Sequence, residues 1–135
     1  MVLIVCVDDH NGMMFNHRRQ SQDRVLRADI LELTDGKKLW MNAYSRKQFA
    51  ESDAEKIRVD ETFLDAAGNG EFCFVENADV SGCVERIEEI YLYRWNRDYP
   101  ADVYFPVDLS VWKCVETKEF AGSSHEKITR ERYTR

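Results

Sequence analysis

The chain has 135 residues, a formal net charge of −6 and 44% hydrophobic residues. This length fits one domain over residues 1–135, and the apolar content supports a packed core, which argues against disorder. The negative charge disfavours sequence-independent binding to nucleic acid, because such binding gains affinity by neutralising phosphates. The basic stretch from His17 to Arg27 is interpreted as a solvated loop and helix face.

The cysteines and the N-terminal segment indicate a cytoplasmic protein. Four cysteines occur, and no two of them form a C-x-x-C pair: Cys6, Cys73, Cys83 and Cys114. We predict buried free thiols, which suit a reducing compartment. The apolar run 2–7 meets Asp8 too early for a signal peptide or a membrane span.

Apolar runs and turn residues predict the elements in chain order. The first half is predicted as a buried strand at 2–7, an irregular loop at 8–20, a helix at 21–34 and a strand at 39–41. Ser21 is the predicted N-cap of the long helix, and Asp35-Gly36 ends it. Ser45 is predicted to cap a brief helix that runs to Ala50. Residues 51–58 are charged and predict no regular element.

The second half predicts a sheet that closes with a hairpin. Its predicted elements are a helix from Asp60 to Ala67, a strand at 72–75, a helix at 80–89 and strands at 90–95, 103–105, 111–120 and 126–134. The turn at 121–124 pairs the last two strands antiparallel. Strands that alternate with helices predict an α/β fold, with a mostly parallel central sheet flanked by helices.

Searches for catalytic motifs give no positive result. The sequence contains neither G-x-G-x-x-G nor G-x-x-x-x-G-K, the glycine-rich phosphate loops. Asp8-Asp9-His10 resembles part of a metal-ligand cluster, but further ligands are missing nearby, so we predict a solvated acidic loop and no metal. Composition leaves a Ser/His/Asp triad open, although no G-x-S-x-G elbow is present.

The C-terminal half resembles dihydrofolate reductase. The residues that carry the likeness are the strand 90–93, Asp102-Val103-Tyr104-Phe105-Pro106, Trp112, and the turn at 123–125 before the final strand. Upstream, the segment from Val59 to Val75, the strand at 39–41 and the helix from Ser21 are similar to the family's corresponding parts. The resemblance covers nearly the whole chain, and it implies a shortened member that has lost a strand near residues 50–58.

This resemblance also identifies departures at the cofactor site. The family's G-R-x-T segment, which holds cofactor phosphates, reads Asn42-Ala43-Tyr44-Ser45 here, and its G-G pair is replaced by Glu76-Asn77-Ala78. Glu76 would bring a like charge beside a phosphate. Ser45, with Arg46 and Lys47 in the next turn, is what remains to bind an anion. NADPH is therefore disfavoured, and no other cofactor is predicted.

The substrate side departs from the family pattern as well. The resemblance places Leu26 where the family has its acidic residue. Asp23 lies about one turn earlier and is the candidate catalytic acid, while Asp29 lies about one turn later. Cys6 and Tyr93 are expected to line the same cleft.

Three functions follow, in order of preference. The first is a protein that is not an NADPH-dependent reductase and that binds a small molecule or a protein partner. The second is a reductase or another enzyme of divergent specificity, with Asp23 as its acid. The third is a protein that acts on nucleic acid, which rests on the basic stretch from His17 to Arg27 alone.

Overall fold

The computed structural model describes residues 1–50 and 54–135, which contain ten strands and three α-helices. The strands are, in chain order, β1 Val2–Val7, β2 Gly12–Phe15, β3 Arg18–Arg19, β4 Leu39–Met41, β5 Ile57–Val59, β6 Phe72–Phe74, β7 Glu89–Arg94, β8 Val103–Tyr104, β9 Lys113–Phe120 and β10 Ile128–Thr134. The helices are α1 Arg24–Leu33, α2 Ala43–Arg46 and α3 Phe63–Ala66. Single turns of 3-10 helix follow at Val84–Arg86 and Leu109–Val111.

Seven of these strands form one sheet in the order β5-β4-β6-β1-β7-β10-β9. The strands from β5 to β7 pair in parallel, and β10 pairs antiparallel with both β7 and β9. Parallel neighbours need long crossover connections, and the segments that carry the helices supply them. The prediction of a mostly parallel sheet that closes with an antiparallel hairpin is confirmed.

Strand β1 lies in the middle of this sheet and is covered on both faces. Leu3 and Val5 belong to a core cluster that includes Phe63 of α3. Ile4 belongs to the opposite cluster, together with Leu26 of α1. Because side chains of a strand alternate between faces, burial on both faces requires the continuous apolar run seen in the sequence.

Helix α1 begins after Asp23, whose carboxylate accepts hydrogen bonds from the backbone N–H groups of Val25 and Leu26. Aspartate is a strong N-cap because it satisfies backbone donors that lack partners in the first helical turn. The prediction that Ser21 caps this helix is therefore wrong by two residues. The predicted end is confirmed: the helix stops before Gly36, which adopts a φ of 75°.

Helix α2 also starts earlier than predicted. Asn42 is its N-cap, because the Asn42 side chain accepts a hydrogen bond from the backbone N–H of Ser45. Ser45 thus lies inside α2 and does not cap it, and the helix ends at Arg46, well before Ala50. Asn42 precedes Ser45 by three residues, which is the spacing at which an N-cap side chain reaches a free backbone N–H, so the helix begins after Asn42.

Two further element predictions are corrected by the structure. The loss of a family strand near residues 50–58 stays a prediction, and residues 51–53 lie outside the described part of the chain. Ile57–Val59 forms β5 beside β4, although the charged stretch 51–58 predicts no regular element. Its sequence signal is weak because only Ile57 is buried in this strand. The predicted helix at 80–89 is a single 3-10 turn, since Gly82 disfavours helix and β7 already begins at Glu89.

A second, small sheet replaces the irregular loop predicted at 8–20. Strands β2 and β3 form a hairpin, and β2 also pairs with β8, giving the order β3-β2-β8. Asn16 and His17 connect the hairpin with φ values of 50° and 62°. Positive φ at both turn residues is typical of tight hairpins, and Asn is the residue that signals such a turn in the sequence.

All four cysteines are free thiols, but they are not all buried as predicted. Cys73 is buried, Cys6 and Cys83 are half-buried, and Cys114 is exposed on the edge strand β9. Burial raises the pKa of Cys73 to about 12. Across residues 1–50 and 54–135, no helix combines the length and the apolar character needed to cross a bilayer.

Candidate functional site

A narrow central cleft lies between the carboxyl ends of β1 and β6 and the start of α1. Its lining consists of Cys6, Met13, Arg19, Gln20, Ser21, Asp23, Leu26, Gln48, Phe74, Val75, Glu76 and Trp95. The free volume inside it is about 10 Å³. This is barely the space of one water molecule, so side chains fill the cleft.

The structure brings three of the candidate residues to this cleft: Cys6, Asp23 and Leu26. Leu26 is 2% exposed and belongs to the hydrophobic core. Burial, followed by the nearby carboxylate of Glu76, raises the pKa of the Cys6 thiol well above its ordinary value. Since only a thiolate is a good nucleophile, Cys6 serves as an apolar wall of the cleft.

Glu76 occupies the mouth of the cleft and is 9% exposed. Arg19 donates to both of its carboxylate oxygens, from Nε at 2.8 Å and from Nη2 at 3.1 Å. The Ser45 hydroxyl donates to Oε1 at 2.8 Å, and the Gln48 amide donates to the same oxygen at 3.0 Å. This set of contacts neutralises and satisfies the buried carboxylate. Arg19 also lies over the Tyr44 ring, 4.4 Å from its centroid.

Asn42 and Asn77 extend the same network. The Asn42 side-chain amide donates to the Asn77 side-chain oxygen at 2.7 Å, while its own oxygen caps α2. Together with the contact between Ser45 and Glu76, this hydrogen bond ties the start of α2 to the segment that follows β6. The two segments therefore satisfy each other's polar groups.

Asp23 is a second hub, beside the cleft. In addition to capping α1, its carboxylate accepts from the backbone N–H groups of Ser123 and Ser124 and lies 3.0 Å from Nδ1 of His125. Burial alone would raise the pKa of Asp23, but the hydrogen bonds from Ser124, Ser123, His125 and Leu26 outweigh it and hold the pKa well below its usual range. Asp23 is therefore a permanent carboxylate and has no proton to deliver at neutral pH.

The backbone at Gly122 passes against this carboxylate. A Cβ atom at Gly122 would collide with the Asp23 oxygen and would lie 2.9 Å from the Cδ1 of Ile128. Glycine thus permits the hairpin turn between β9 and β10 to close on the N-terminus of α1.

Asp8 holds the β2–β3 hairpin in place over the cleft. Burial alone would raise the pKa of Asp8, but backbone hydrogen bonds from Gly12, His10 and Tyr99 and the side chain of Gln20 outweigh it and lower the pKa. Asp8 is 1% exposed, so the prediction of a solvated acidic loop is wrong at this residue. Within the described ranges, no group of three His, Cys, Asp or Glu side chains is arranged to hold a metal ion.

Tyr93 lies away from the cleft, contrary to the expectation that it lines the cleft with Cys6. Its side chain is fully buried, and its hydroxyl donates to Asp29 at 2.6 Å. Lys118 and Arg130 donate to the two oxygens of the same carboxylate, each at 2.8 Å. Burial, followed by the charge of Asp29, raises the pKa of Tyr93, which keeps its hydroxyl protonated as a donor.

The remaining candidate residues are also separate from the cleft. The Arg46 guanidinium donates to the backbone oxygens of Phe49 and Ala50, and Lys47 is exposed at the end of α2. The basic stretch is divided between the hairpin and α1, and Arg19 within it is neutralised by Glu76.

A side cavity of about 370 Å³ lies beside the hairpin and shares Arg19 and Gln20 with the lining of the cleft. Its lining consists of Phe15, Asn16, Arg18, Arg19, Gln20, Tyr99 and Pro100. Arg18 is exposed and makes no ion pair within the described residues, and Phe15 is 47% exposed. The volume falls within the usual range for small-molecule pockets.

Comparison with known proteins identifies the fold. No protein-family model matches the chain, and no curated protein matches it. Among solved structures, it is similar to a dihydrofolate reductase from Enterococcus faecalis complexed with NADP(H) and RAB-propyl, with a TM-score of 0.68 and 13% sequence identity. The match covers 99% of this chain and 95% of the other. The chain therefore has a dihydrofolate reductase-like fold, as the sequence resemblance predicts, with strong divergence in sequence.

Sequence reasoning missed Arg19, Gln48 and His125 as members of these networks. Arg19 and Glu76 are 57 positions apart, and Asp23 and His125 are 102 positions apart. Only indirect signals were present. Glu76 stands where the family has glycine, and His125 precedes a hydrophobic strand, and both side chains need polar partners when they are buried.

Proposed function

We propose that this chain keeps the dihydrofolate reductase-like fold without NADPH-dependent reductase activity. The observation that supports this most is the hydrogen-bonded link between Ser45 and Glu76 and between Asn42 and Asn77. By the family resemblance, these residues occupy the two segments that hold the cofactor phosphates. Here the two segments bind each other instead.

Electrostatics strengthens this proposal. A phosphate placed about 4 Å from the Glu76 carboxylate would meet a repulsion on the order of 4 kcal/mol, at the effective dielectric constant typical near a protein surface. Arg19 would be drawn away from Glu76 by that phosphate, which would leave the carboxylate unpaired in a site where it is only 9% exposed. A ring that enters the cleft would also have to displace packed side chains, because about 10 Å³ is free.

We expect NADPH and NADH at about 0.5 mM (roughly five hundredfold above a micromolar Kd) to leave the melting temperature of the protein unchanged. A ligand that binds the native state stabilises it by about 2.7 kcal/mol at a hundredfold excess over Kd, so binding would be easily measured. The Enterococcus faecalis reductase, which was solved with NADP(H), is the positive control. Clear stabilisation of this chain by NADPH would contradict the proposal.

The lining of the side cavity indicates the kind of ligand that would bind there. Phe15, Tyr99 and Pro100 offer apolar surfaces, and the Arg18 guanidinium offers a charge that no carboxylate of the described chain neutralises. Aromatic surfaces favour flat rings, and arginine favours carboxylate or phosphate groups. We therefore propose that the cavity binds a small aromatic anion.

Titration with 2-naphthoate, followed by changes in backbone NMR signals, tests this site. We expect shifts in the hairpin and at Tyr99, and an affinity about tenfold weaker in Arg18→Ala, because a charged hydrogen bond contributes about 1.5 kcal/mol. Arg24→Ala is the matched control, since Arg24 is also an exposed arginine but lies on α1 outside the cavity. Equal weakening in both variants would mean that net charge, and not the cavity, governs binding.

A further inference from the structure

Ser21, His125 and Asp23 form a chain of hydrogen bonds beside the cleft. The Ser21 hydroxyl lies 3.1 Å from Nε2 of His125, and Nδ1 of the same ring lies 3.0 Å from an oxygen of Asp23. A nucleophile, a base and an orienting carboxylate within hydrogen-bond reach are the geometric criteria for a serine triad, whatever their order in the sequence. The absence of a G-x-S-x-G elbow does not bear on these distances.

The carboxylate determines which nitrogen of His125 carries the proton. Asp23 is ionised and only accepts hydrogen bonds, so Nδ1 of the neutral imidazole is the protonated nitrogen that faces it. Nε2 then presents its single lone pair, for which the hydroxyl of Ser21 at 3.1 Å and the hydroxyl of Tyr99 at 3.0 Å compete. This is the tautomer in which histidine accepts a proton from a serine.

The imidazole is held rigidly in this orientation. The exposed fraction of His125 is 4%, and its ring stacks on Trp95 with centroids 4.5 Å apart and planes 26° apart. Asp23 is itself held by five other donors from the helix and the hairpin turn. A base that is positioned before substrate arrives does not have to be reorganised during the reaction.

Two backbone N–H groups that follow Ser21 in the chain are candidates to stabilise a developing oxyanion. The backbone N–H groups of Gln22 and Asp23 make no hydrogen bond within the described chain and lie at the N-terminus of α1. Free N–H groups at a helix N-terminus stabilise negative charge. Ser21 itself is half-buried, so its hydroxyl is not sealed inside the core.

The side cavity adjoins this triad. Tyr99, which contacts His125 through its hydroxyl, lines the cavity, and so does Gln20, the neighbour of Ser21 in the chain. Ser21 lines the narrow cleft and not the cavity, so a substrate whose anionic ring occupies the cavity near Arg18 would have to extend its carbonyl group past Gln20 to reach Ser21. This choice of substrate rests on the ligand class proposed above, whereas the triad geometry does not.

We infer that Ser21 is the nucleophile of an esterase site that cleaves small esters of aromatic anions, with His125 as base and Asp23 as positioning residue. Ser21 Oγ forms a bond to the carbonyl carbon while its proton passes to His125 Nε2. The ester C–O bond then breaks, and the leaving phenoxide takes that proton and departs as a phenol, which leaves an acylated Ser21. Water adds to the acyl carbon, gives a proton to His125, and the proton returns to Ser21 Oγ as the acid departs.

Labelling with a fluorophosphonate, followed by peptide mass mapping of the intact chain, tests the nucleophile. We expect an adduct on Ser21, and loss of labelling by on the order of a hundredfold or more in Ser21→Ala and His125→Gln. Ser110→Ala is the matched control, because Ser110 is exposed and its hydroxyl donates to Asp108, with no contact to the three residues of the triad. Melting curves identify any variant that fails to fold, and the wild-type result decides in that case: a wild-type chain without an adduct on Ser21 overturns the inference.

The substrate class is tested separately with two acetate esters. Hydrolysis of 4-acetoxybenzoate is expected to exceed that of neutral phenyl acetate about tenfold, and Arg18→Ala is expected to abolish this preference. Labelling of Ser21 without any preference would overturn the substrate class but leave the triad supported, and the titration with 2-naphthoate decides separately on the cavity. Neither result depends on NADPH, so a failure here is distinguishable from binding of that cofactor.

Discussion

Replacing Asp23 with asparagine is expected to lower the free energy of unfolding by about 3 kcal/mol at pH 7, because a buried hydrogen-bonded charge partner is lost. Asparagine retains one acceptor oxygen for the N-cap of α1. The second carboxylate oxygen becomes an NH₂ group, which cannot accept hydrogen bonds. The N–H groups of Ser123 and Ser124 and the ring of His125 now share the two carboxylate oxygens, so part of this set loses its acceptor. Denaturation by urea at pH 7 measures this loss.

The same substitution has a pH dependence with a definite sign. The folded pKa of Asp23 is depressed, so the unfolded chain binds its proton more readily than the folded chain does. The stability that Asp23 contributes is therefore fully present above the ordinary aspartate pKa of about 4 and is lost as pH falls below it. The gap between wild type and Asp23→Asn should narrow when unfolding is measured at pH 3.

Asp98→Asn is the matched control for this experiment. The side chain of Asp98 is 68% exposed, and its contact with His10 spans 3.7 Å, so its loss should cost less than about 0.5 kcal/mol. Equal effects of the two substitutions at pH 7, or a gap for Asp23→Asn that does not change between pH 7 and pH 3, would contradict the role assigned to Asp23.

Replacing Asp29 with alanine is expected to cost about 3 to 5 kcal/mol of unfolding free energy. The substitution removes the acceptor for the fully buried Tyr93 hydroxyl and leaves the Arg130 guanidinium, whose side chain is 11% exposed, without its buried carboxylate partner. Buried donors that lose their acceptor retain the full penalty of desolvation. Urea denaturation again supplies the measurement.

Two milder substitutions in the same cluster measure how much each partner of Asp29 contributes to the free energy of unfolding. Tyr93→Phe removes a single hydroxyl and should cost about 1 kcal/mol. Lys118→Ala removes an ion pair whose lysine is 46% exposed, and it should cost less than about 1 kcal/mol because solvent screens the pair. If Asp29→Ala cost no more than Lys118→Ala, then Asp29 would not be the centre of this cluster.

Both clusters contain an acidic residue that flanks Leu26, the position where the family resemblance places its acid. Asp23, the candidate acid, caps a helix and faces His125, while Asp29 holds Tyr93 and two cations. Each carboxylate is engaged by several donors and its pKa is lowered, so neither is placed to deliver a proton at neutral pH. The serine and histidine near Asp23 are the groups whose geometry favours chemistry.

Several elements of the fold are predicted by the pattern of apolar and turn residues over a few neighbouring positions. The apolar run at 2–7 predicts the central strand, because a strand covered on both faces has no polar side to display. Gly36 predicts the end of α1, since glycine adopts positive φ without steric cost. The turn at 121–124 predicts the closing hairpin. Each of these signals depends on residues within a few positions of one another.

The local sequence does not predict an element correctly where two nearby residues could start it or where few of its side chains are buried. Ser21 and Asp23 are both good N-caps, and which of them starts α1 depends on backbone geometry that composition does not contain. Strand β5 carries one buried side chain, and it exists because β4 offers a partner for its backbone. The β2–β3 hairpin turns at Asn16 and His17, and although asparagine is a turn signal, the positive φ of His17 has no such signal in the sequence.

Short-range pattern in the sequence is enough to predict the fold class and the order of most elements. Which side chains meet around Glu76 and Asp23 is settled only by the folded chain. Glu76 contacts Arg19 from 57 residues away, and Asp23 contacts His125 from 102 residues away. Propensity and periodicity act over a few residues, whereas such pairs form only when the sheet brings distant loops to the same edge.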